Sequence, residues 1–337
     1  MVKENTTYAP VLIPTLCRFE HFKRCVESLM ECSGAEMTDV FIALDYPARE
    51  QHWNGYNEIC NYLDIIKKTH PFKSLNVIKR NRNYGLGQSG NFSLAVEEIL
   101  NDYSNLIPSE DDNIFAPAFL EFVNKYLRLT ATRSDIFAVC GYQYPLNIKE
   151  ECVYFLNSFS AWGYGITKTS WLKLREFERN TSKIKEIVKS DIFKNYCIIH
   201  NKKQFYLDIV GMSEGKEILG DSLCSALQIT YGMKSIFPGK SLVRNIGWDG
   251  SGTHGGIKEE YSNQEIDLTM NSLNYKISDD QANAIIEHKK KEWFENDSLL
   301  HKILTQISWL LYSLTGKYVR FEVLRSIYKK IRSLKYK

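Results

Sequence analysis

The chain has 337 residues, of which 44% are hydrophobic and 25% are charged, and this globular composition argues against a disordered or fibrous protein. No run of about 18 apolar residues occurs, so no transmembrane helix is expected, and the N-terminus lacks an apolar signal core, so secretion is not expected either. Eight cysteines without a CxxC pair or a zinc-finger spacing are interpreted as reduced thiols of a cytosolic protein.

The formal net charge of +3 is unevenly distributed along the chain. Residues 317–337 contain eight Lys or Arg and one Glu, whereas the rest of the chain holds 35 basic and 39 acidic side chains. The mildly acidic body argues against a nucleic-acid-binding protein. The basic tail indicates that the protein is attached to a partner or surface through its C-terminal end. This tail is either a solvated face or a surface that docks on an anionic membrane, where each Lys or Arg contributes about 1 kcal/mol.

The first 145 residues alternate strand-like and helix-like segments. Continuous apolar runs predict strands at 10–15, 39–44, 75–79, 105–107 and 135–141. Apolar residues at helical spacing predict helices at 21–32, 57–68, 92–100 and 117–129. This alternation predicts an α/β fold with a mostly parallel sheet, helices on both faces and a ligand site at the carboxyl ends of the strands.

From about residue 150 the alternation loosens. Residues 150–260 are expected to mix short strands, loops and segments rich in aromatic residues and glycine. The segment 245–256 contains five glycines in twelve residues and predicts a loop that closes over a ligand. Residues 280–337 return to helical spacing.

A glycine cluster precedes the predicted helix at 92–100. Gly85 to Gly90 spells GxGxxG, the pattern of a dinucleotide-binding turn. That pattern requires a strand running directly into the first glycine, whereas Arg80 and Arg82 intervene here. Two guanidinium groups favour a diphosphate held by charge, with Gly87 allowing close approach of the backbone. The alternative is a simple glycine turn with solvated arginines.

The acidic triplet Glu110, Asp111 and Asp112 follows the fourth predicted strand. Adjacent carboxylates repel one another, so the triplet favours a bound divalent cation. A cation that bridges two phosphates needs only one or two protein carboxylates. The alternative is an acidic turn that caps the following helix.

Three further residues each have a functional and a structural interpretation. Asp221 opens a helical stretch, where it is either a general base for an attacking hydroxyl or a helix N-cap. His254 in the glycine-rich loop either binds metal or phosphate or is a surface histidine. Trp162, which stands before a Gly-Tyr-Gly turn, either offers a flat face to a sugar ring or packs in the core.

Taken together, these segments resemble the nucleotide-sugar glycosyltransferases of the GT-A superfamily over about residues 9–256. Residues 9–18 resemble the opening strand of that superfamily and residues 82–91 its N-x-G segment. Glu110–Asp112 is similar to its DxD-type motif, whose last carboxylate binds Mn²⁺ or Mg²⁺. The order of this triplet, a Gly-Trp-type segment, Asp221 and a Gly-Thr-His ending at His254 is similar to that of the N-acetylglucosaminyltransferases that initiate complex N-glycans. Family 2-like bacterial enzymes are also similar.

The resemblance implies an inverting glycosyltransferase that moves a sugar from a UDP-sugar to a hydroxyl of a glycan. Asp112 would hold Mn²⁺ or Mg²⁺, and Asp221 would deprotonate the acceptor. The nucleotide-sugar site implied by the resemblance comprises Pro14, Thr15, Arg18, Asp45, Arg82, Gly87, Asn91, Glu110, Asp111, Trp162 and His254.

The resemblance and the charge distribution together give an expected organisation and location. A GT-A domain at 1–275, with a nucleotide-binding half at 1–145 and an acceptor-binding half at 146–275, would precede a helical, basic extension at 276–337. The expected location is the cytoplasmic face of a bacterial membrane, bound through residues 317–337, with a lipid-linked glycan as acceptor and no nucleic-acid partner.

Two other functions remain open. A nucleotidyltransferase that makes the sugar nucleotide would use a similar sheet and metal, but it should carry a glycine-rich basic loop after its first strand. Residues 15–18, Thr-Leu-Cys-Arg, contain no glycine. A non-catalytic glycan-binding protein would not need Asp112, Asp221 and Arg82 to converge.

Overall fold

A computed structural model describes residues 8–146, 148, 151–251, 259–294 and 299–317. The strands in this part of the chain are short, as expected for a globular α/β protein. They are β1 Val11–Thr15, β2 Asp39–Leu44, β3 Ser74–Lys79, β4 Asn105–Pro108, β5 Asn113–Phe115, β6 Ile136–Cys140, β7 Cys152–Leu156, β8 Tyr164–Thr167, β9 Lys234–Pro238, β10 Val243–Asn245 and β11 Lys276–Ile277.

Nine of these strands form one sheet in the order β11-β7-β9-β6-β8-β4-β1-β2-β3. Pairing is parallel along β4-β1-β2-β3, between β6 and β9, and between β7 and β11. Strand β8 runs antiparallel to β4 and β6, and β7 runs antiparallel to β9. The sheet is therefore mixed and mostly parallel, which confirms the predicted class. Strands β5 and β10 form a separate antiparallel ribbon.

The helices cover both faces of this sheet. They are α1 Phe19–Met30, α2 Trp53–Ile66, α3 Asn91–Ile99, α4 Phe119–Leu127, α5 Lys168–Glu178, α6 Thr181–Lys189, α7 Asp191–Ile199, α8 Lys203–Ser213, α9 Gly220–Tyr231, α10 Glu259–Ser262, α11 Asp280–Phe294 and α12 Leu299–Thr315.

Two apolar clusters follow from the alternation of side chains along each strand. Val11 and Ile13 of β1 pack with α1, α2 and α4, whereas Leu12 packs on the opposite side with α3 and with α5 to α9. Successive residues of a strand point to opposite faces, so one fully apolar strand supplies both clusters. The sheet is thus buried on both sides, and ligands can approach it only at its edges and strand ends.

The predicted elements of the first 145 residues are confirmed. Strand β2 has the predicted bounds, and the other ends differ by a few residues. In α1, Phe22, Cys25, Val26 and Leu29 are fully buried, which is the spacing of one helical face.

The expectation of short strands and loops for residues 150–260 is wrong for most of that region. Residues 168–231 form five helices, α5 to α9, which pack as a layer on one face of the sheet. A helix of this layer that contacts both the sheet and its neighbouring helices buries more than one face, so its apolar residues are not confined to one narrow stripe. In α8, for example, Tyr206, Leu207, Ile209, Val210 and Met212 are all buried.

The predicted C-terminal helices are present as α11 and α12. Strand β11, which begins at residue 276, belongs to the main sheet, and α11 packs on its neighbour β7. In the part of the chain that the structure describes, no helix combines the length and apolarity needed to span a bilayer. Residues 318–337, most of the predicted basic tail, lie outside the described residues. All eight cysteines are free thiols.

Candidate active site

The carboxyl ends of parallel strands bring the predicted site residues to one edge of the sheet. Strands β4, β1, β2 and β3 are adjacent and parallel, so the segments that follow them lie side by side. Pro14 and Thr15 end β1, Asp45 follows β2, and the acidic triplet follows β4. This is the position at which open α/β sheets bind ligands.

Arg18 bridges the last two members of the acidic triplet. Its Nη2 donates to Asp111 Oδ1 and lies 2.8 Å from Asp112 Oδ2. Thr15 Oγ1 donates to Asp111 Oδ2 at 2.9 Å. Burial acts to lower the pKa of Arg18, but Asp111 and Asp112 outweigh it and raise that pKa. The site therefore contains a permanent internal cation that contacts two carboxylates.

The ribbon of β5 and β10 holds the triplet from the other side. Asn245 of β10 pairs with Asn113 and is 2% exposed. Its Nδ2 lies within hydrogen-bond distance of three acceptors, namely Asp112 Oδ1 at 2.7 Å, Asn113 Oδ1 at 3.1 Å and Glu110 Oε2 at 3.3 Å. Asn245 is thus the neutral donor that links the triplet to the loop after β10.

The charge of Asp221 acts on Glu110. Burial raises the pKa of the Glu110 carboxyl well above its ordinary value, and the charges of Asp112, Asp221 and Asp111 raise it further. Asp221 lies in the first turn of α9, whose N-cap is Leu219. The N-cap interpretation of Asp221 is therefore wrong, and its carboxylate acts electrostatically on the triplet.

Asp45 holds the glycine turn that precedes α3. Its two carboxylate oxygens accept hydrogen bonds from the backbone N–H groups of Tyr46, Tyr84 and Gly85, at 2.8 to 2.9 Å, and from Asn83 Nδ2 at 3.2 Å. The Asp45 side chain therefore stabilises the conformation of this turn.

The turn itself is compact. Gly85 and Gly87 have φ angles of 62° and 92°, values that favour glycine. Asn91 begins α3 and is buried, donating to the carbonyl of Ala43 at 2.7 Å and accepting from Arg80 Nε at 2.9 Å. Asn91 is thus a structural link between β2 and α3.

Arg82 is the exposed cation of this region. Its guanidinium lies 4.8 Å from the centre of the Tyr84 ring, and the exposed Gly87 is in the same turn. Neither residue is buried by the rest of the chain, so both remain accessible to a ligand at the strand ends.

Trp162 belongs to an aromatic cluster beside the triplet. Its ring centre lies 4.5 Å from that of Tyr142, 5.2 Å from Tyr261 and 6.3 Å from Trp248, all edge-to-face. Trp162 and Trp248 are half-buried, so they both pack against the core and present partly open rings. The two interpretations of Trp162 are therefore compatible.

The loop after β10 crosses the acidic triplet. Gly247 approaches so closely that an added Cβ would overlap Asp112 Oδ2 and lie 3.2 Å from Arg18 Nη1. Asp249 lies 3.0 Å from His21 Nε2 and so ties the loop to α1. The position of His254 lies outside the described residues, as does the rest of the segment from 252 to 258.

Lys290 is a charged residue at this edge that sequence reasoning missed. It is 8% exposed, and its Nζ lies 4.4 Å from the centre of the Tyr144 ring and 5.3 Å from that of Phe237. Burial lowers the pKa of Lys290 to about 8, although Glu287 and Asp221 act in the opposite direction. Asn245 and Trp248 were also missed as site residues, although both lie in the glycine-rich segment that the sequence singled out.

The donor set of the triplet suits a hard divalent cation that brings most of its own ligands. Each oxygen of Asp112 accepts one contact from the protein, from Asn245 or Arg18, and a carboxylate oxygen has a second lone pair. The two carboxylates that contact Arg18, those of Asp111 and Asp112, also exceed its single positive charge. Among the described residues no group of three His, Cys, Asp or Glu forms a complete metal site, so phosphate and water would supply the remaining ligands.

Comparisons with known proteins show a distant structural likeness. No protein-family model matches the sequence, and no curated protein matches it. A solved mannosyltransferase from Pyrobaculum calidifontis, in complex with GDP-Man and Mn²⁺, is 15% identical, with a TM-score of 0.34. The match covers 51% of this chain and 47% of that chain, so it spans about half of each.

Proposed function

We propose that this protein is an inverting, metal-dependent glycosyltransferase that transfers a sugar from a UDP-sugar to a hydroxyl of a glycan acceptor. One observation supports this function above all. The acidic triplet, the partly buried Arg18 and an aromatic cluster lie at the carboxyl end of the parallel strands, where the charge of Asp221 also acts. Diphosphate, acceptor hydroxyl and sugar ring each require one of these features.

The donor occupies the half of the site built on β1 to β4. Arg82 and the backbone of the glycine turn contact the diphosphate, while Asp45 and Asn91 hold that turn in place. Glu110 and Asp111 contact ribose and donor sugar, and Asp112 is the carboxylate that holds Mn²⁺ or Mg²⁺. When bound, such a cation neutralises charge on the departing diphosphate.

The acceptor occupies the opposite half. Asp221 accepts the proton of the attacking hydroxyl, which allows a single displacement at the anomeric carbon with inversion. Trp162 and Trp248 offer ring faces to the sugars. The loop from Asn245 to Ser251 shields the reacting atoms from water, because donor hydrolysis is the competing reaction.

The connection after β1 favours this function over a nucleotidyltransferase. Strand β1 ends at Thr15 and α1 begins at Phe19, and no glycine lies between them. Arg18, the basic residue of this connection, is engaged with Asp111 and Asp112. A glycine-rich loop that could surround a triphosphate is therefore missing at this position.

Calorimetric titration of UDP with and without Mn²⁺, together with transfer assays over a panel of nucleotide sugars, tests the proposal. Asp221→Asn is expected to lower transfer at least 1,000-fold, because the base is lost, while UDP affinity stays within about twofold. Asp112→Asn is expected to abolish the Mn²⁺-dependent part of UDP binding.

Asp102→Asn is the matched control, since Asp102 is exposed and precedes β4 at the opposite end of that strand. Equal loss of transfer and UDP affinity in Asp221→Asn would contradict the base assignment. Unchanged Mn²⁺-dependent binding in Asp112→Asn would reject the metal role of that residue.

A further inference from the structure

Arg18 occupies the position at which a cation would reach Asp112. Of the four oxygens of Asp111 and Asp112, two are held by neutral donors, Thr15 and Asn245. The other two, Asp111 Oδ1 and Asp112 Oδ2, both contact the same nitrogen of Arg18. Among the described residues, the guanidinium group of Arg18 is the positive charge that contacts these carboxylates, and it lies on one side of the pair.

Gly247 crowds the same side of Asp112. Gly247 packs directly over Asp112 Oδ2 and is also close to Arg18 Nη1. The carboxylate side chains of Asp111 and Asp112 are 9% and 8% exposed, whereas the Arg18 side chain is 25% exposed. Arg18 is thus the most open member of this group and the one that can move outward.

We propose that Arg18 and a divalent cation are alternative partners of Asp112, and that the diphosphate of the nucleotide draws Arg18 away and so admits the cation. This inference rests on the proposed function and adds that the site binds the cation only together with the nucleotide. Two cations on one carboxylate oxygen repel each other, so without a nucleotide Arg18 excludes the metal. A diphosphate offers Arg18 a new anionic partner of matching geometry, which releases Asp112.

The arrangement makes metal and nucleotide binding cooperative. Any factor by which the nucleotide tightens metal binding must also appear as the factor by which the metal tightens nucleotide binding. Premature occupation of the site by a free cation is suppressed, and Arg18 remains paired with an anion in both states.

Mn²⁺ binding measured by electron paramagnetic resonance, on the full chain with and without UDP, tests this proposal. Wild type is expected to bind Mn²⁺ at least tenfold more tightly when UDP is present, after correction for the Mn²⁺–UDP chelate measured without protein. Arg18→Gln is expected to bind Mn²⁺ at least tenfold more tightly than wild type in the absence of UDP. Arg18→Lys keeps the charge and should bind free Mn²⁺ as weakly as wild type.

Arg24→Gln is the matched control, because Arg24 is an exposed arginine on the same helix, α1. Free Mn²⁺ bound no more tightly by Arg18→Gln than by wild type would overturn the proposal, as would tight binding by Arg18→Lys. Asp112→Asn separates the two hypotheses, since unaltered Mn²⁺ binding in the presence of UDP rejects the metal site itself. If Arg18→Gln does not fold, equal UDP affinity of wild type with and without Mn²⁺ overturns the cooperativity.

Discussion

Lys290 is a buried cation that lies over two aromatic rings. The Tyr144 and Phe237 rings offset part of the cost of burying the ammonium group, since cation–π contacts contribute about 0.5–2 kcal/mol. The lowered pKa of about 8 shows that burial still outweighs the stabilising neighbours. Lys290 therefore costs stability in its charged form, which is typical of a residue kept for a purpose other than folding.

Lys290→Met is expected to raise the free energy of unfolding at pH 7 by about 3 kcal/mol, from a pKa of 10.5 in the unfolded chain and about 8 in the folded one. The folded state binds this proton less tightly, so the destabilisation is fully present below pH 8 and disappears above pH 10.5. Urea unfolding of both proteins at pH 7 and pH 10 measures the difference.

The neighbouring Lys289→Met serves as control, because Lys289 is only half-buried. If Lys290→Met raises the free energy of unfolding by the same amount at pH 7 and at pH 10, the burial of a charged ammonium group is contradicted.

Side chains of helix α11 accept backbone hydrogen bonds from the sheet where the short strand β11 does not extend. Asn283 Oδ1 accepts from the backbone N–H of Phe155 at 2.9 Å, and Glu287 Oε1 accepts from that of Asn157 at 2.7 Å. Since β11 has only two residues, these two side chains satisfy N–H groups of β7 and its extension that β11 does not reach. The same docking positions Lys290 beside Tyr144, so α11 connects fold and site.

Asn283→Ala is expected to lower the free energy of unfolding by about 1–3 kcal/mol, because it leaves the buried N–H of Phe155 without its acceptor. Hydrogen exchange of the Phe155 amide should accelerate more than that of Val11 in β1. The control Gln281→Ala alters an exposed residue of the same helix. Unchanged protection at Phe155 would show that α11 does not cap β7 through Asn283.

The whole molecule carries an apolar surface next to its basic end. Helix α12 packs Trp309 and Tyr312 against Tyr206 of α8, with ring centres 5.4 and 5.9 Å apart. Its opposite face leaves five large apolar side chains between 42% and 74% exposed, namely Leu299, Ile303, Ile307, Leu310 and Leu314. An apolar helix face followed by eight basic residues is the combination that binds anionic membrane surfaces.

Binding to vesicles that contain anionic lipid is therefore expected, and it should weaken as salt rises. Deletion of residues 317–337 is expected to release the protein through loss of charge, and the double change Leu310→Glu with Leu314→Glu through loss of apolar contact. Sedimentation with phosphatidylglycerol vesicles measures both effects, with phosphatidylcholine vesicles as the uncharged reference. Ile65→Glu, at an exposed apolar position of α2, is the matched control. Sedimentation unaltered by the deletion would refute the role of the tail.

Local patterns were sufficient for much of residues 1–145. The continuous apolar run 39–44 predicted β2, and the helical spacing of Phe22, Cys25, Val26 and Leu29 predicted α1. Of the layer of α5 to α9, the helical stretch opened by Asp221 was predicted and the other helices were not; in α8, burial on several sides removes the contrast between faces. Strands β5 and β10 have three residues each, which is too short to display any period.

The sequence by itself determined which chemical groups stand at the strand ends, since the acidic triplet and Asp45 directly follow apolar runs in the chain. Only the tertiary structure decided which distant residues meet these groups. Arg18 reaches Asp112 across 94 positions and Asn245 reaches it across 133, and no periodicity within either segment encodes that pairing. Such contacts arise from the order of strands in the sheet and from the packing of connecting segments, which depend on the burial of the whole chain at once.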